Sequence, residues 1–353
     1  MGGPNFLPLA LGLILFSFLV NSVLVVPFID LLYKFKLIRR KEAPQKGKVS
    51  LFDKLHDIKA GTPVGGGILV IVSVVTLFML IMSFIPRLGV YIQSSYKLSP
   101  EVFVILFTFI SFGVLGLADD LVKIFGKGKE GLRPLGLSYG LTRRQKFVLQ
   151  WILAFTTGII IYRQLGIHFL HIPLLDKTVN LGFWYVPFSA LIIVTFSNAY
   201  NITDGLDGLA GGLLMLCLIA FGIIAAGSLD TPLSIFISLW IGALIAFLYF
   251  NVYPARIFMG DAGALSFGAT LGVIGLLTGS LISLFVIGGI FFVEIATSAI
   301  QIFGWRVLKR PIFPLAPIHH TFLAIGWEEP KIVTRAWLAG IILAIFGLWL
   351  ASI

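Results

Sequence analysis

The chain's 353 residues include only sixteen Asp and Glu, and five of these gather in three short segments. Asp119 and Asp120 close GVLGLADDLVK, Asp204 and Asp207 lie in SNAYNITDGLDGLAGG, and Asp261 lies in NVYPARIFMGDAGAL. Each segment borders an apolar run, and ionisable groups at the edge of such a run are costly unless they are paired or put to work. Several carboxylates on one face suit Mg²⁺, a hard ion that takes carboxylate oxygens together with substrate phosphates. That donor set points to phosphate chemistry. Asp204 and Asp261 also have a purely structural reading, as caps of helices starting near Leu206 and after Met259.

Lys59 in IKAGTPVGGG and Lys123, four residues past Asp119, are candidate cation partners of these carboxylates. Either can balance diphosphate charge as a point donor, or simply orient the chain in a membrane. Gly65, Gly66 and Gly67 open an apolar run, where bare backbone can meet an anion or let helices approach. His319 and His320 in FPLAPIHHTFLAIGW follow a Pro-rich stretch and can hydrogen-bond phosphate. With no cysteine and no third histidine nearby they are poor zinc ligands. Glu294 falls midway along the ninth apolar run, and Gln301, seven residues on, shares its helical face. The two can line a polar groove or bond between helices. The single cysteine, Cys217, lies inside an apolar run and reads as a small core residue.

The elements that position these groups follow from composition. The chain is 58% hydrophobic and 12% charged, against about 25% charged for a soluble domain. A mean hydropathy of +1.02 excludes a soluble globule, a disordered chain and a coiled coil, and one cysteine excludes a disulfide scaffold. Apolar runs near 7–32, 64–86, 101–118, 146–164, 184–200, 209–227, 233–250, 263–280, 284–304 and 334–352 predict ten spans of an all-α polytopic membrane protein. Alternate loops then hold 22 of the 26 Lys and Arg on one side, which the positive-inside rule makes cytoplasmic. The net charge of +10 is thereby read as topology rather than as a nucleic-acid site. Both termini are expected outside, with the carboxylates at the cytoplasmic face. The N-terminal run lacks a basic n-region and a small-residue cleavage site, so it reads as the first span. No repeat or soluble appendage is visible, which makes residues 1–353 one membrane domain with cytoplasmic loops near 33–63, 119–146, 201–208, 251–262 and 305–333. Alternation around Pro173 and Asp176-Lys177 predicts a small hairpin within 165–183 on the outer face.

AGTPVGGG, GLADDLVK, NAYNITDGLDGLAGG, NVYPARIFMGDAGAL and APIHHTFLAIGWEEPKI, in this order and these loop positions, resemble the motifs of the polyprenyl-phosphate N-acetylhexosamine-1-phosphate transferases. The resemblance runs from about Lys59 to Ile332 and leans toward the branch whose donor is UDP-N-acetylmuramoyl-pentapeptide. It implies transfer of the phospho-sugar to undecaprenyl phosphate with release of UMP, Mg²⁺ as cofactor, a place in the bacterial inner membrane, and a homodimer. By the same resemblance Asp261 is the Mg²⁺ ligand, and Asp119, with Asp120 beside it, is the base or acceptor-positioning group. Direct attack by an already anionic lipid phosphate is expected rather than a covalent aspartyl intermediate. Asn198, Asn201, Asp204, Asp207 and Asn251 fall on nucleotide-side and polar-network positions, and Phe258 on the aromatic that stacks on uracil. Lys59, Thr62, Lys123, Gln301, His319 and His320 fall on further polar positions of the site.

Two residues depart from the family pattern. Thr321 stands where a third consecutive histidine is usual, and Leu323 where an acid is usual. Threonine exchanges hydrogen bonds but carries no charge, so a cation at that position is dispensable if the enzyme is active. The related transferases that use UDP-N-acetylglucosamine share the aspartate motifs and form the alternative reading. A secondary transporter is the competitor from another class, but it predicts carboxylates near the midplane and matching halves, neither of which this chain displays.

Overall fold

Lipid offers the backbone no hydrogen-bond partner, so each apolar run must satisfy its own N–H and C=O groups as a helix. The computed structural model describes residues 6–39, 59–84, 92–125 and 141–353. Its helices are α1 (Phe6–Lys34), α2 (Gly66–Phe84), α3 (Leu98–Phe125), α4 (Arg143–Ile160), α5 (Tyr185–Thr203), α6 (Leu209–Gly227), α7 (Thr231–Asn251), α8 (Gly260–Leu277), α9 (Leu281–Ile287), α10 (Gly289–Phe303), α11 (Ile318–Ala324) and α12 (Glu329–Ser352). Among the described residues ten helical segments are long and apolar enough to cross a membrane, one for each expected span. The chain is an all-α polytopic membrane protein with one small hairpin.

Helix α8 is the hub. It packs against α2, α3 and α5, while α7 fills the space between α1, α2 and α6, and α12 closes over α6 and α9. Helices pack this closely in lipid when small residues face each other. A Cβ on Gly67 would lie 2.3 Å from Gly263 Cα, and one on Gly116 would lie 2.1 Å from the Asp261 carbonyl oxygen. Serine hydroxyls add interhelical bonds: Ser266 donates to the Phe109 carbonyl at 2.6 Å and Ser197 to that of Leu265 at 3.0 Å. Above these contacts Phe109 meets Phe236 and Trp240 edge-on, at 5.2 and 5.0 Å between ring centres.

Three boundaries differ from the sequence expectation. Helix α3 continues to Phe125, past the boundary expected at residue 118, because the aspartates it carries find partners on α4 and α8 and need no loop to reach water. The ninth apolar run is not one helix. It breaks at Gly288, where a Cβ would sit 2.8 Å from the Phe196 ring, and the crossing segment starts at Gly289. The stretch 305–333 is only partly loop, since α10 continues as a π turn over Gly304–Leu308 and α11 and the start of α12 follow. Residues 40–58 and 126–140 of the expected loops lie outside the described residues.

The hairpin forms where expected, with β1 (Phe169–Ile172) antiparallel to β2 (Lys177–Asn180) and Leu170 opposite Val179. Asp176 takes the left-handed conformation (φ 45°) that closes the turn. The hairpin borders Gly279–Ser283 and Leu350–Ile353, the ends of α8 and α12 farthest from Asp261. Leu32, near the end of α1, lies beside Gly65 at the carboxylate end. The start of α1 and the end of α12 therefore share the hairpin end.

Gly116→Ala should force α3 and α8 apart at Asp261, lowering stability by about 1–3 kcal/mol as overpacking does. Gly12→Ala, with nothing within 4 Å of the added methyl, should be neutral. Thermal unfolding of the two variants in detergent checks this; equal melting temperatures would contradict it.

Candidate active site

Asp119 is 1% exposed. Its Oδ1 accepts from the Leu141 amide at 3.0 Å, and its Oδ2 meets Lys123 Nζ at 2.9 Å and Lys146 Nζ at 3.1 Å. Lys146 is placed by a capping box, in which Thr142 Oγ1 accepts from the Gln145 amide at 3.2 Å and Gln145 Oε1 from the Thr142 amide at 3.0 Å. That box starts α4 and puts Lys146 in its first turn. Asp261, in the first turn of α8, takes Lys146 at 2.5 Å and Lys123 at 2.7 Å on Oδ2, and Asn201 Nδ2 at 3.1 Å on Oδ1. Two aspartates and two lysines from three helices thus alternate around one point and neutralise each other. Asp120 turns the other way, and its Oδ2 accepts from the Ala262 amide at 3.1 Å. It meets one of the amides that a helix N-terminus leaves without a partner.

A second polar knot stands beside the first. Lys59 Nζ lies 2.6 Å from both Asp207 Oδ1 and Glu329 Oε1, and Glu329 Oε1 also accepts from the Asp207 amide at 2.6 Å. Asp207 Oδ2 accepts from the Ala255 amide at 2.9 Å. Asn251 Oδ1 accepts from the Gly208 amide at 3.2 Å while its Nδ2 donates to the Ile257 carbonyl at 2.9 Å. Phe258 is held by backbone pairing with Pro63, Gly65 and Gly66, and the Arg39 guanidinium sits 5.5 Å from its ring centre.

Between the knots lies a cavity of about 350 Å³, lined by Asp120, Lys123, Asn201, Asp204, Asp207, Asn251, Phe258 and Asp261, with Arg39 at its wall. Of the residues anticipated from sequence these eight come together. Asp119 stands behind the wall, and Lys59 reaches the site through Asp207. Thr62 contributes a backbone carbonyl to Arg39, and Asn198 bonds Gln150 Oε1 at 2.8 Å on α4. Gln301 accepts from the Ile312 and Phe313 amides at 3.0 and 2.9 Å, so it fastens its own loop. Neither cap expected for Asp204 or Asp261 forms: Gly208, at φ 78°, precedes α6, and Met259 precedes α8 without a side-chain bond.

The cavity's charge is unbalanced. The Asp204 carboxylate accepts no hydrogen bond from the described residues, and burial, with Asp261 adding to it, pushes its pKa up to about 7. Among the described residues no three His, Cys, Asp or Glu side chains converge as a ready-made metal cage. An acid-lined cavity with a spare carboxylate still fits Mg²⁺, which is usually held by one or two carboxylates, substrate phosphate and water.

His319 and His320 come from α11 and pack ring to ring, 4.2 Å between centres. His319 Nδ1 is 3.0 Å from Glu294 Oε2, both side chains buried. Burial depresses His320, with His319 and Lys59 adding to it, to a pKa of about 3, so its imidazole is neutral at physiological pH. Thr321 donates to the Leu315 carbonyl and serves its own turn. Lys146, Glu329, Arg39 and Gln150 were not anticipated. The capping pattern TRRQK and the Glu-Pro start of α12 mark where Lys146 and Glu329 sit, but nothing local reveals what they face.

A family model described as Glycosyl transferase family 4 matches residues 102–279. A protein of Geobacillus sp. (strain WCH70) is 33% identical over 339 residues, covering 96% of each chain. One of Bacillus subtilis (strain 168) is 33% identical over 340 residues, again 96% of each. One of Clostridium novyi (strain NT) is 33% identical over 339 residues, 95% of this chain and 94% of that protein. All three bear the name phospho-N-acetylmuramoyl-pentapeptide-transferase. With a third of its residues shared along nearly its whole length, the chain belongs to this transferase family and, through it, to glycosyl transferase family 4.

Proposed function

We propose that the chain transfers phospho-N-acetylmuramoyl-pentapeptide from its UDP donor to undecaprenyl phosphate, making the first lipid-linked precursor of peptidoglycan and releasing UMP. The observation that carries this reading is the lysine–aspartate square bordering an acid-lined cavity at one end of an apolar bundle. A lipid phosphate and a cytoplasmic nucleotide sugar can meet only at such an edge. We place that edge at the cytoplasmic face of the bacterial inner membrane, in keeping with the distribution of basic residues.

Uracil stacks on Phe258, displacing or sharing the ring with Arg39, while Asp207 and Asn251 hold the loops that frame it. Asp261 is the residue to hold Mg²⁺, which when bound neutralises charge on the donor diphosphate. Lys123 and Lys146, held ready by Asp119, turn from the carboxylates to receive acceptor phosphate. A phosphate monoester has its second ionisation near about 6, so the acceptor needs little help from a base. Its oxygen attacks the sugar-bearing phosphorus, a new P–O bond forms, the P–O bond to UMP breaks, and UMP leaves with the electron pair. Asp119 then acts chiefly by positioning, consistent with its place behind the cavity wall.

Purified protein with Mg²⁺ and undecaprenyl phosphate should release UMP from UDP-N-acetylmuramoyl-pentapeptide and not from UDP-N-acetylglucosamine, and EDTA should stop it. Release from the second donor alone would overturn the donor assignment. Asp261→Asn should lower kcat by at least about 100-fold, the scale of losing a preorganised electrostatic contact, with the protein still folded. Asp119→Asn should also lose turnover, and rates like wild type in either variant would remove that residue from the mechanism. Phe258→Ala should raise the donor KM roughly tenfold or more, the size of one base-stacking contact, and leave the lipid KM unchanged. Parallel titration of the two substrates distinguishes these cases.

A further inference from the structure

Glu294 lies within a spanning segment, five residues past the first residue of its helix, and is 3% exposed. A charge there persists only with a partner. The partner is His319, carried back to it by the short helix α11, with Nδ1 to Oε2 at 3.0 Å. The carboxylate accepts, so the ring carries a proton on Nδ1 and its orientation is fixed.

The other ring nitrogen is the informative one. His319 Nε2 is sealed from solvent and has no hydrogen-bond partner. It abuts Gly205, where even a Cβ would come within 2.6 Å of it. Gly205 is part of the cavity wall, between Asp204, which lines the cavity with an unbonded carboxylate, and Leu206. The imidazole therefore stands behind the loop that carries Asp204 and Asp207, pressed against Gly205, which has no side chain. An unpaired buried polar atom is expensive, and where it persists it calls for an explanation beyond packing.

We infer that Glu294 is a positioning residue which, through His319, sets the Asp204–Asp207 wall for the uridine nucleotide of the donor. This rests on the transferase reading of the same cavity but concerns a residue that touches no substrate. Glu294 holds the ring, the ring holds Gly205, and Gly205 sets where Asp204 and Asp207 face the nucleotide.

The test uses full-length protein and two readouts. Calorimetric binding of UDP in the presence of Mg²⁺ should weaken about 10- to 100-fold in Glu294→Leu, the scale on which supporting contacts act. Glu294→Gln, whose carbonyl still accepts from Nδ1–H, should keep UDP affinity within about fivefold of wild type. Kinetically, Glu294→Leu should raise the donor KM and leave the lipid KM alone. In a His319→Ala background, Glu294→Leu should cost less than about twofold more, because the pair acts as one unit. Wild-type UDP affinity in Glu294→Leu overturns the inference, and so does a full further loss in the His319→Ala background. If Glu294→Leu fails to fold, Glu294→Gln decides alone: an affinity as low as that of His319→Ala overturns it. Absence of UMP release from wild type, with UDP still bound, would count against the transferase reading and leave the positioning role standing or falling by the binding comparison.

Discussion

Ionised groups cannot be left unmatched at the edge of a bilayer, and the Asp119, Lys123, Lys146 and Asp261 square is how this chain meets that constraint. Each lysine bridges two helices, so the charges that would make the bundle end unstable instead hold it together. The glycines below follow from the same need. Gly116 and Gly67 let α3 and α2 press against the start of α8, and only at that separation can the side chains of α3 and α4 reach Asp261. Packing of bare backbone and neutralisation of charge are two sides of one arrangement.

The square also divides labour between neighbouring aspartates. Asp119 faces the lysines and Asp120 faces the amide of Ala262, one residue past Asp261. One of the pair thus governs charge and the other governs where the α8 terminus sits. Across the cavity, the Lys59, Asp207 and Glu329 knot ties the opposite wall together as the square ties the first.

Much of this was legible beforehand. Ten apolar runs gave ten spans, because in lipid the backbone leaves few alternatives, and the hairpin announced itself by its turn and alternation. Helix ends were less legible: α3 outlasts its apolar run because its aspartates have partners supplied by other helices, and the ninth run is interrupted at Gly288, which packs against the Phe196 ring. Asp120, Asp204, Asp207 and Asp261, with Asn201, Asn251 and Phe258, were found by spacing and resemblance, and they do line one cavity, with Asp119 behind it. Lys146 and Glu329 were not, since one more cation in the basic TRRQK segment and the second acid of an EEP sequence look like ordinary helix-end charges. Periodicity put Gln301 on the face of Glu294 and resemblance grouped it with the site; its bonds fasten residues 312 and 313. Helical phase tells which side a residue faces but not which neighbour occupies that side.

The Lys59, Asp207 and Glu329 knot joins the first loop, the middle and the last helix of the chain. During synthesis the first loop and the Asp204–Asp207 segment emerge long before Glu329, so for most of its biogenesis the protein holds a lysine and an aspartate without their third partner. The wall that carries Asp207 is closed only once Glu329, 270 residues after Lys59, is in place.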